Sequence, residues 1–324
     1  MRVAVLDDYH RIAHTLADWA LLGAEVDFFD RPIPRERLAE TLAGYDTLVL
    51  MRERTAFPRA VLEQLGGLEV VVTTGMRNAS LDLGYLATRG VRVYGTGIPG
   101  YGGTALDPAP GVASTVELAW ALILALCKRV PQEDRALRHG AWQQALPRNL
   151  AGATLGLAGL GRLGAQMVAP ARAFGMEVIA WSENLTRERA QAAGARPVSF
   201  EELLGGADVI SIHLVLSERT RGLFGAGELA RMKGSAFLVN TSRGPIVEEQ
   251  ALVGALRDGT IAGAGLDVYD QEPLPADHPL LELENAVLTP HLGYVSADAL
   301  GAMYEQVVED LAAHLRGQPL RVIV

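Results

Sequence analysis

ATLGLAGLGRLG, residues 153–164, carries a short apolar segment into three glycines and then into an amphipathic helix. Residues 154–158 are mostly apolar, as a strand buried on both faces of a parallel sheet must be. Residues 162–174 place Leu163, Met167, Val168, Ala171 and Phe174 along one side of a helix. Each glycine between them answers a different need. Gly159 permits the tight strand-to-helix turn, Gly161 lets the backbone approach a pyrophosphate, and Gly164 lets helix and strand pack closely. The helix N-terminus adds unsatisfied N–H groups and partial positive charge. Gly159, Gly161, Arg162, Leu163 and Gly164 are therefore the expected cradle of a dinucleotide. In a chain with 35 glycines the G-x-G-x-x-G pattern alone is weak, and a glycine-rich turn of an ordinary α/β domain is the alternative. The flanking strand and helix favour the nucleotide.

Strands and helices alternate on both sides of this turn. Downstream, strands are expected at 177–181, 208–214, 236–240, 262–266 and 286–289, with helices near 187–193, 200–205 and 248–258. Upstream, strands at 2–6, 25–29, 47–50, 69–73 and 92–94 alternate with helices at 12–20, 35–43, 58–65 and 81–89. Residues 95–111, GTGIPGYGGTALDPAPG, form the expected linker. A helix at 114–129 follows, with Ser114 and Glu117 spaced as a capping box, and residues 130–150 read as irregular or partly helical. A long amphipathic helix at 297–316 presents Leu300, Met303, Tyr304, Val307, Val308 and Leu311 on one face and is expected to return to the first half. The expected fold class is α/β, with two doubly wound parallel-sheet domains and a cleft between them. A flavodoxin-like substrate domain occupies 1–109 and 293–324, and a Rossmann nucleotide-binding domain occupies 110–292.

At 324 residues the chain holds two domains of ordinary size. A net charge of −9 argues against a nucleic-acid surface, because phosphate backbones demand clustered Lys and Arg. Any anionic substrate must meet locally placed arginines. Cys127, the only cysteine, lies in the apolar run LILALCKR, which suits a buried and inert thiol. One cysteine allows no internal disulfide and no cysteine-based metal site. No His, Asp and Glu grouping has metal-ligand spacing, so no metal is expected. Gly-x-Ser-x-Gly is absent, and with it any nucleophile elbow. MRVAVLDDYH starts a strand without a signal peptide's apolar core, and the longest apolar run, 118–127, is too short to cross a bilayer. A cytoplasmic protein with no membrane partner is the expectation.

Open parallel sheets bind ligands beyond the carboxyl ends of their strands. In the second half those positions hold the glycine turn, His213, NTSRG at 240–244, Asp267 and His291. In the first half they hold Asp7 and Asp8, MRERT at 51–55, TTGM at 73–76 and GTG at 95–97. Hydride transfer to a carbonyl needs a cation to hold the substrate carboxylate and polarise the carbonyl, and a proton donor for the developing alkoxide. Arg243 suits the first role, since a guanidinium grips a carboxylate bidentately. His291 suits the second, since imidazoles titrate near neutrality. Glu272, in DVYDQEP at 267–273, is the candidate carboxylate to orient that imidazole and keep it protonated. Taken singly, each has a plainer reading: a solvated loop arginine, a hydrogen-bonded core histidine, a surface residue before proline. Their coincidence at strand ends carries the case.

These stretches together resemble the D-2-hydroxyacid dehydrogenase family, which includes phosphoglycerate dehydrogenases and glyoxylate/hydroxypyruvate reductases. NTSRGPIVEEQAL (240–252) resembles its arginine motif, GLDVYDQEP (265–273) its glutamate motif, and LTPHLG (288–293) its histidine motif. The resemblance implies an NAD-dependent oxidoreductase acting on a small-molecule 2-hydroxy or 2-keto acid. Arg243 then holds the substrate, His291 is the acid/base and Glu272 is its partner. The resemblance also sets His213 near the cofactor, Asp267 and the backbone at Thr241 at the nicotinamide, and the backbone of Thr74, Gly75 and Met76 at the substrate carboxylate. It implies a homodimer joined through helices beside the nucleotide domain.

The sequence departs from the family pattern at two places. Where an acidic residue is expected about 20 positions past the glycines, Trp181 is followed by Ser182, Glu183 and Asn184. Glu183 can serve the ribose and favours NAD, whereas the missing Asp and the nearby Arg187 and Arg189 leave NADP open. Residues 103–111 also exceed the family's usual linker. Arg52 and Arg54 resemble the arginine pair that phosphoglycerate dehydrogenases set near the substrate phosphate. RERT equally suits a surface salt bridge with Glu53, so phosphoglycerate and glyoxylate/hydroxypyruvate stand level. From a different class, the alternative is an NAD(H)-sensing binding protein on the same fold with vestigial activity.

Overall fold

Runs such as VAVL, TLVL and VVVT offer no polar side to water, so they are stable only as central strands covered on both faces. The computed structural model describes residues 1–97 and 110–324, with side chains from 113 onward in the second segment. The expected linker from 98 to 109, with most of the long stretch 103–111 and the expected domain boundary at 109, lies outside the described residues; 110 and 111 already belong to a helix. Residues 1–97 and Ser296–Val324 belong to one compact unit, and Val112–Val295 to another.

The first unit holds β1 (Arg2–Val5), β2 (Glu25–Phe28), β3 (Thr47–Leu50), β4 (Val70–Thr73) and β5 (Arg92–Gly95), ordered β2-β1-β3-β4-β5. Every pairing is parallel, with Val3 opposite Val26 and Thr47, and Leu48 opposite Val71. This is the flavodoxin-like order, whose direction reverses between β1 and β3. Its core gathers Leu6, Leu48, Leu50, Phe57, Leu62 and Val93, all nearly inaccessible. The closing helix Ala297–Leu315 belongs to this unit and buries Leu300, Met303, Tyr304, Val307 and Leu311.

The second unit holds β6 (Thr154–Ala158), β7 (Glu177–Trp181), β8 (Arg196–Pro197), β9 (Val209–Ile212), β10 (Phe237–Asn240), β11 (Gly263–Leu266) and β12 (Ala286–Leu288). Their order is β12-β11-β10-β9-β6-β7-β8, again parallel throughout. The order reverses between β6 and β9, so the glycine turn and His213 emerge side by side at the switch point, where doubly wound sheets bind their ligands. Both units are thus parallel α/β sheets, as expected. No helix among the described residues is long and apolar enough to cross a membrane.

Several expected helices take another form. The helix expected at 12–20 is replaced by two tight turns, Ala13–Thr15 and Trp19–Leu22. There the Asp8 carboxylate accepts from the Ile12 and Ala13 amides at 3.1 Å each, and Trp19 Nε1 donates to the Ala13 carbonyl at 2.8 Å. Such side-chain bonds compete with the helical ladder. The helix expected to start at Ser114 runs Pro110–Lys128, so Ser114 lies inside it and no capping box forms. A proline in the first turn lacks only an N–H that would go unused there. The helix after the glycine turn is split into Arg162–Gln166 and Val168–Ala173, because Pro170 has no N–H to offer the Gln166 carbonyl. Within the stretch expected to be irregular, Val130–Arg138 is helical.

Candidate active site

The second sheet delivers three polar loops to one edge and ties them together. After β10, Asn240 turns the chain: its side chain accepts from the Ser242 amide at 3.0 Å and donates to the Arg243 carbonyl at 2.9 Å. Ser242 Oγ donates to the Ile212 carbonyl at 2.8 Å and pins the turn to β9. Arg243 Nη1 donates to the Ser242 carbonyl at 2.8 Å. Gly244 lies so close to the Tyr269–Asp270 peptide that any Cβ there would overlap it. The arginine loop therefore packs directly on the glutamate loop.

Within the glutamate loop, Glu272 Oε1 accepts from the Tyr269 amide at 3.0 Å, and Oε2 meets Nδ1 of His291 at 2.5 Å. Burial works against the charged Glu272 carboxylate, but His291, the Tyr269 amide and the Arg243 charge outweigh it and hold its carboxyl below the usual value. Both side chains stay accessible, at 21% for His291 and 27% for Glu272. The Tyr269 hydroxyl donates to the carbonyls of Leu266 and Thr289, at 3.2 and 2.9 Å, joining the ends of β11 and β12.

Asp267 shapes the histidine loop. Fully buried, it accepts from Thr289 Oγ1 at 2.6 Å, the Leu292 amide at 2.7 Å and the Gly293 amide at 2.8 Å. Burial raises its carboxyl, and those three donors and His291 pull against the rise. Thr115 Oγ1, from the long helix, holds the Gly293 carbonyl at 2.6 Å. So constrained, His291 adopts a left-handed backbone, φ 54°, rare for a non-glycine residue and typical of residues held in place by their surroundings.

The β6–β9 edge fits a dinucleotide. Gly159 has φ 101°, and a Cβ on it would lie 2.5 Å from the His213 carbonyl oxygen. A Cβ on Gly164 would overlap the Gly159 carbonyl, whereas one on Gly161 meets nothing within 4 Å. Two glycines thus serve the fold, and the third leaves the backbone bare where a pyrophosphate would approach, beside Arg162 and Leu163. Thr241 Oγ1 and His213 Nδ1 are enclosed atoms with no hydrogen-bond partner. His213 Nε2 lies 2.9 Å from Ser211 Oγ, and burial pushes the imidazole down to about 4, so it stays neutral at physiological pH. At the end of β7, Trp181 stacks on Phe200 at 4.4 Å, and Ser182 and the exposed Glu183 follow. A carboxylate at that position is suited to accept from ribose hydroxyls and would repel a 2′-phosphate.

In the first unit, the loops after β3 and β4 interlock. The Arg52 amide donates to Thr74 Oγ1 at 2.9 Å, and the Gly75 amide donates to Thr96 Oγ1 at 3.0 Å. Asn78 Nδ2 donates to the Arg52 carbonyl at 2.7 Å and to Thr73 Oγ1 at 3.0 Å. Gly75 has φ 123°, and a Cβ on it would come 2.8 Å from Nη1 of Arg52, so that guanidinium lies over the loop. The Thr74 and Gly75 amides are committed within the fold, and Met76 projects outward, 47% exposed.

The structure therefore gathers Arg243, Glu272 and His291 on one edge of the second sheet, with Asp267, Thr241, His213 and the glycine turn along that same edge. Arg52, Thr74, Gly75 and Met76 share an edge of the first sheet. Sequence reasoning passed over Tyr269, Thr289, Thr115 and Asn78. Tyr269, Thr289 and Asn78 each lie two residues from an identified one, the only signal that points to them; Thr115 carries none.

A family model described as D-isomer specific 2-hydroxyacid dehydrogenase, NAD binding domain, matches residues 120–293. A glyoxylate reductase of Korarchaeum cryptofilum is 38% identical over 297 residues, covering 89% of this chain and 85% of that one. A D-3-phosphoglycerate dehydrogenase of Archaeoglobus fulgidus is 33% identical over 289 residues, 89% of this chain. The chain spans 53% of that relative's length. The crystal structure of a phosphoglycerate oxidoreductase from Vibrio cholerae superposes with a TM-score of 0.89 at 33% identity, covering 98% of this chain and 99% of that one.

Proposed function

The chain belongs to the D-isomer specific 2-hydroxyacid dehydrogenase family, and from that premise we propose that Arg243, Glu272 and His291 carry the chemistry of an NAD-dependent 2-hydroxyacid oxidoreductase. Bound NAD supplies or accepts the hydride at the substrate's second carbon. Its holding groups are the turn from Gly159 to Gly164 with Arg162 and Leu163, then Ser182, Glu183, His213, Thr241 and Asp267. Arg243 holds the substrate carboxylate and polarises the neighbouring carbonyl, which a permanently charged planar guanidinium does without giving up a proton. In the first unit, Arg52 and the loop Thr74–Gly75–Met76 are the substrate-binding groups, with Met76 as the loop's amide toward the substrate, because those of Thr74 and Gly75 are spent on Leu50 and Thr96.

The pair of His291 and Glu272 at 2.5 Å is the observation that carries this reading. An ionised carboxylate only accepts, so Nδ1 of His291 carries its hydrogen toward Glu272, leaving Nε2 to exchange a proton with the substrate oxygen. Glu272 compensates the imidazolium before and loses least after that transfer.

We infer further a cytoplasmic homodimer. In support, Cys127 is a single buried thiol whose titration burial pushes up, and Trp142 and Leu146 are 74% and 94% exposed beside helix Val130–Arg138. Sedimentation as a monomer at micromolar concentration would remove the dimer.

The test follows the loss of NADH absorbance with glyoxylate, hydroxypyruvate and phosphohydroxypyruvate, for the wild type, Arg243→Ala and His291→Ala. Multiple turnovers by the wild type and a loss of about 100-fold or more in each variant are expected. Near-normal turnover in either variant overturns its role.

A further inference from the structure

The first sheet has its own switch point, between β1 and β3, and the residues leaving those two strands are Asp7 to Tyr9 and Arg52 to Thr55. They form a closed arrangement. Asp7, 3% exposed and left-handed at φ 61°, accepts from Tyr9 Oη at 2.9 Å and from Thr55 Oγ1 at 2.8 Å. Arg54 Nη1 donates to the Asp7 carbonyl at 3.0 Å, and its guanidinium carbon lies 4.8 Å from the centre of the Tyr9 ring. Arg52, also left-handed at φ 54°, has its Nε 3.9 Å from Glu53 Oε2 while its guanidinium covers Gly75. Two strand-end residues held at positive φ mark a loop whose geometry the fold imposes rather than one that local preference chose.

Across this edge the carboxylates Asp7, Asp8 and Glu53 equal in number the arginines Arg52, Arg54 and Arg77. Arg52 and Arg54 face Glu53 and Asp7; burial raises the Asp7 carboxyl, and its two hydroxyl donors and the nearby Arg54 charge pull against the rise. A phosphate monoester brings about −1.5 to −2 charge and needs surplus cationic donors. What the edge offers beyond its matched ions is the exposed ring of Tyr9 and the exposed side chain of Met76. Arg77, exposed beside Met76 on the β4 loop, is the third arginine of that count, and Asp8, whose carboxylate accepts from the Ile12 and Ala13 amides, is the third carboxylate.

We infer that Asp7 and Glu53 are specificity-determining residues, which neutralise the arginine pair and select a 2-hydroxy or 2-keto acid with an uncharged tail over a phosphorylated one. This rests on the proposed function, because it takes the loops of the first unit as substrate-binding. Arg54 is then a positioned wall: Tyr9 stacks on its plane and Asp7 anchors its fork, so the guanidinium fixes the shape of the site without drawing in a dianion.

The full-length protein is assayed with NADH for kcat/KM on hydroxypyruvate and on 3-phosphohydroxypyruvate, two probes that differ only in the phosphate. The wild type is expected to favour hydroxypyruvate by at least about tenfold, the scale of one unmatched charge at partly solvated distances. Asp7→Asn, which keeps side-chain volume and one acceptor, is expected to narrow that preference about tenfold, and Glu53→Gln to narrow it in the same direction. Glu53 is a quarter exposed, so its variant keeps the test sound if burial makes Asp7→Asn fold poorly. A wild type that prefers the phosphorylated acid, or a preference unchanged in both variants, overturns the inference while leaving the oxidoreductase reading intact. Turnover of no keto acid overturns both.

Discussion

Gly244→Ala puts the coupling of the arginine and glutamate loops to a quantitative test. An added Cβ would lie 2.7 Å from the Asp270 nitrogen and closer still to the Tyr269 carbonyl group, where ordinary contact begins at 3.4 Å. These are backbone atoms on both sides, so no side chain can swing away, and the loops must part by about 1 Å. Tyr269 also presents its amide to Glu272, so the displacement changes the distance of Arg243 from the Glu272–His291 pair. A misplacement of about 1 Å costs on the order of 100-fold in rate, or about 2.7 kcal/mol of transition-state stabilisation. Overpacking lowers stability by about 1–3 kcal/mol as well. The assay is kcat/KM for NADH-linked reduction of hydroxypyruvate, with a thermal melt and an NADH titration on the same samples. NADH affinity should fall less than kcat/KM, because the glycine turn lies on β6 and only Thr241 and Asp267 of the cofactor's holding groups share the displaced loops. Gly254→Ala is the control: it lies within helix Glu249–Arg257, its Cβ meets nothing within 4 Å, and it should stabilise by about 1 kcal/mol without loss of turnover. A Gly244→Ala enzyme within about threefold of wild-type kcat/KM would refute the packing argument, since by it no smaller movement admits the methyl group.

Glu272→Gln should lower kcat/KM about 100-fold at neutral pH, because the imidazole loses its charged partner. The folded protein holds the Glu272 carboxyl below its ordinary 4.5, so its stabilisation is complete above that pH and is lost as acid brings the pH below it. Wild-type melting temperature should therefore fall more steeply below pH 4.5 than that of the Gln variant, and parallel acid-melting curves would count against the pairing. Gly161→Ala should melt with the wild type yet weaken NADH about tenfold, because its methyl group occupies only the space a pyrophosphate needs. Gly164→Ala should instead lose about 1–3 kcal/mol of stability through collision with the Gly159 carbonyl. Unchanged NADH affinity in Gly161→Ala would remove the turn from the cofactor site.

By itself the sequence determined the two parallel sheets, the glycine turn and the strand-end positions of Arg243, Asp267, Glu272 and His291. These are legible because a buried parallel strand must be a short apolar run and its ligand-facing residues must follow it directly. The helix expected at 12–20 was misread because Asp8 and Trp19 bond to the backbone there, a competition that periodicity does not register. Pro170 did announce the break after Gln166, although the apolar stripe ran past it. Only the tertiary structure decided how the polar residues pair. Glu272 reaches His291 across 19 positions of chain because β11 and β12 are neighbours and Tyr269 joins their ends. Asp7 reaches Thr55 across 48 because β1 and β3 are neighbours. The left-handed backbones of Asp7, Arg52 and His291 belong to the same category, since Asp and His tolerate φ above zero better than most residues but nothing in their local sequence requires it. The physical reason is one of range: patterns of burial repeat every two to four residues and are written locally, whereas hydrogen bonds between strand ends depend on sheet order, which only the packing of the whole unit establishes.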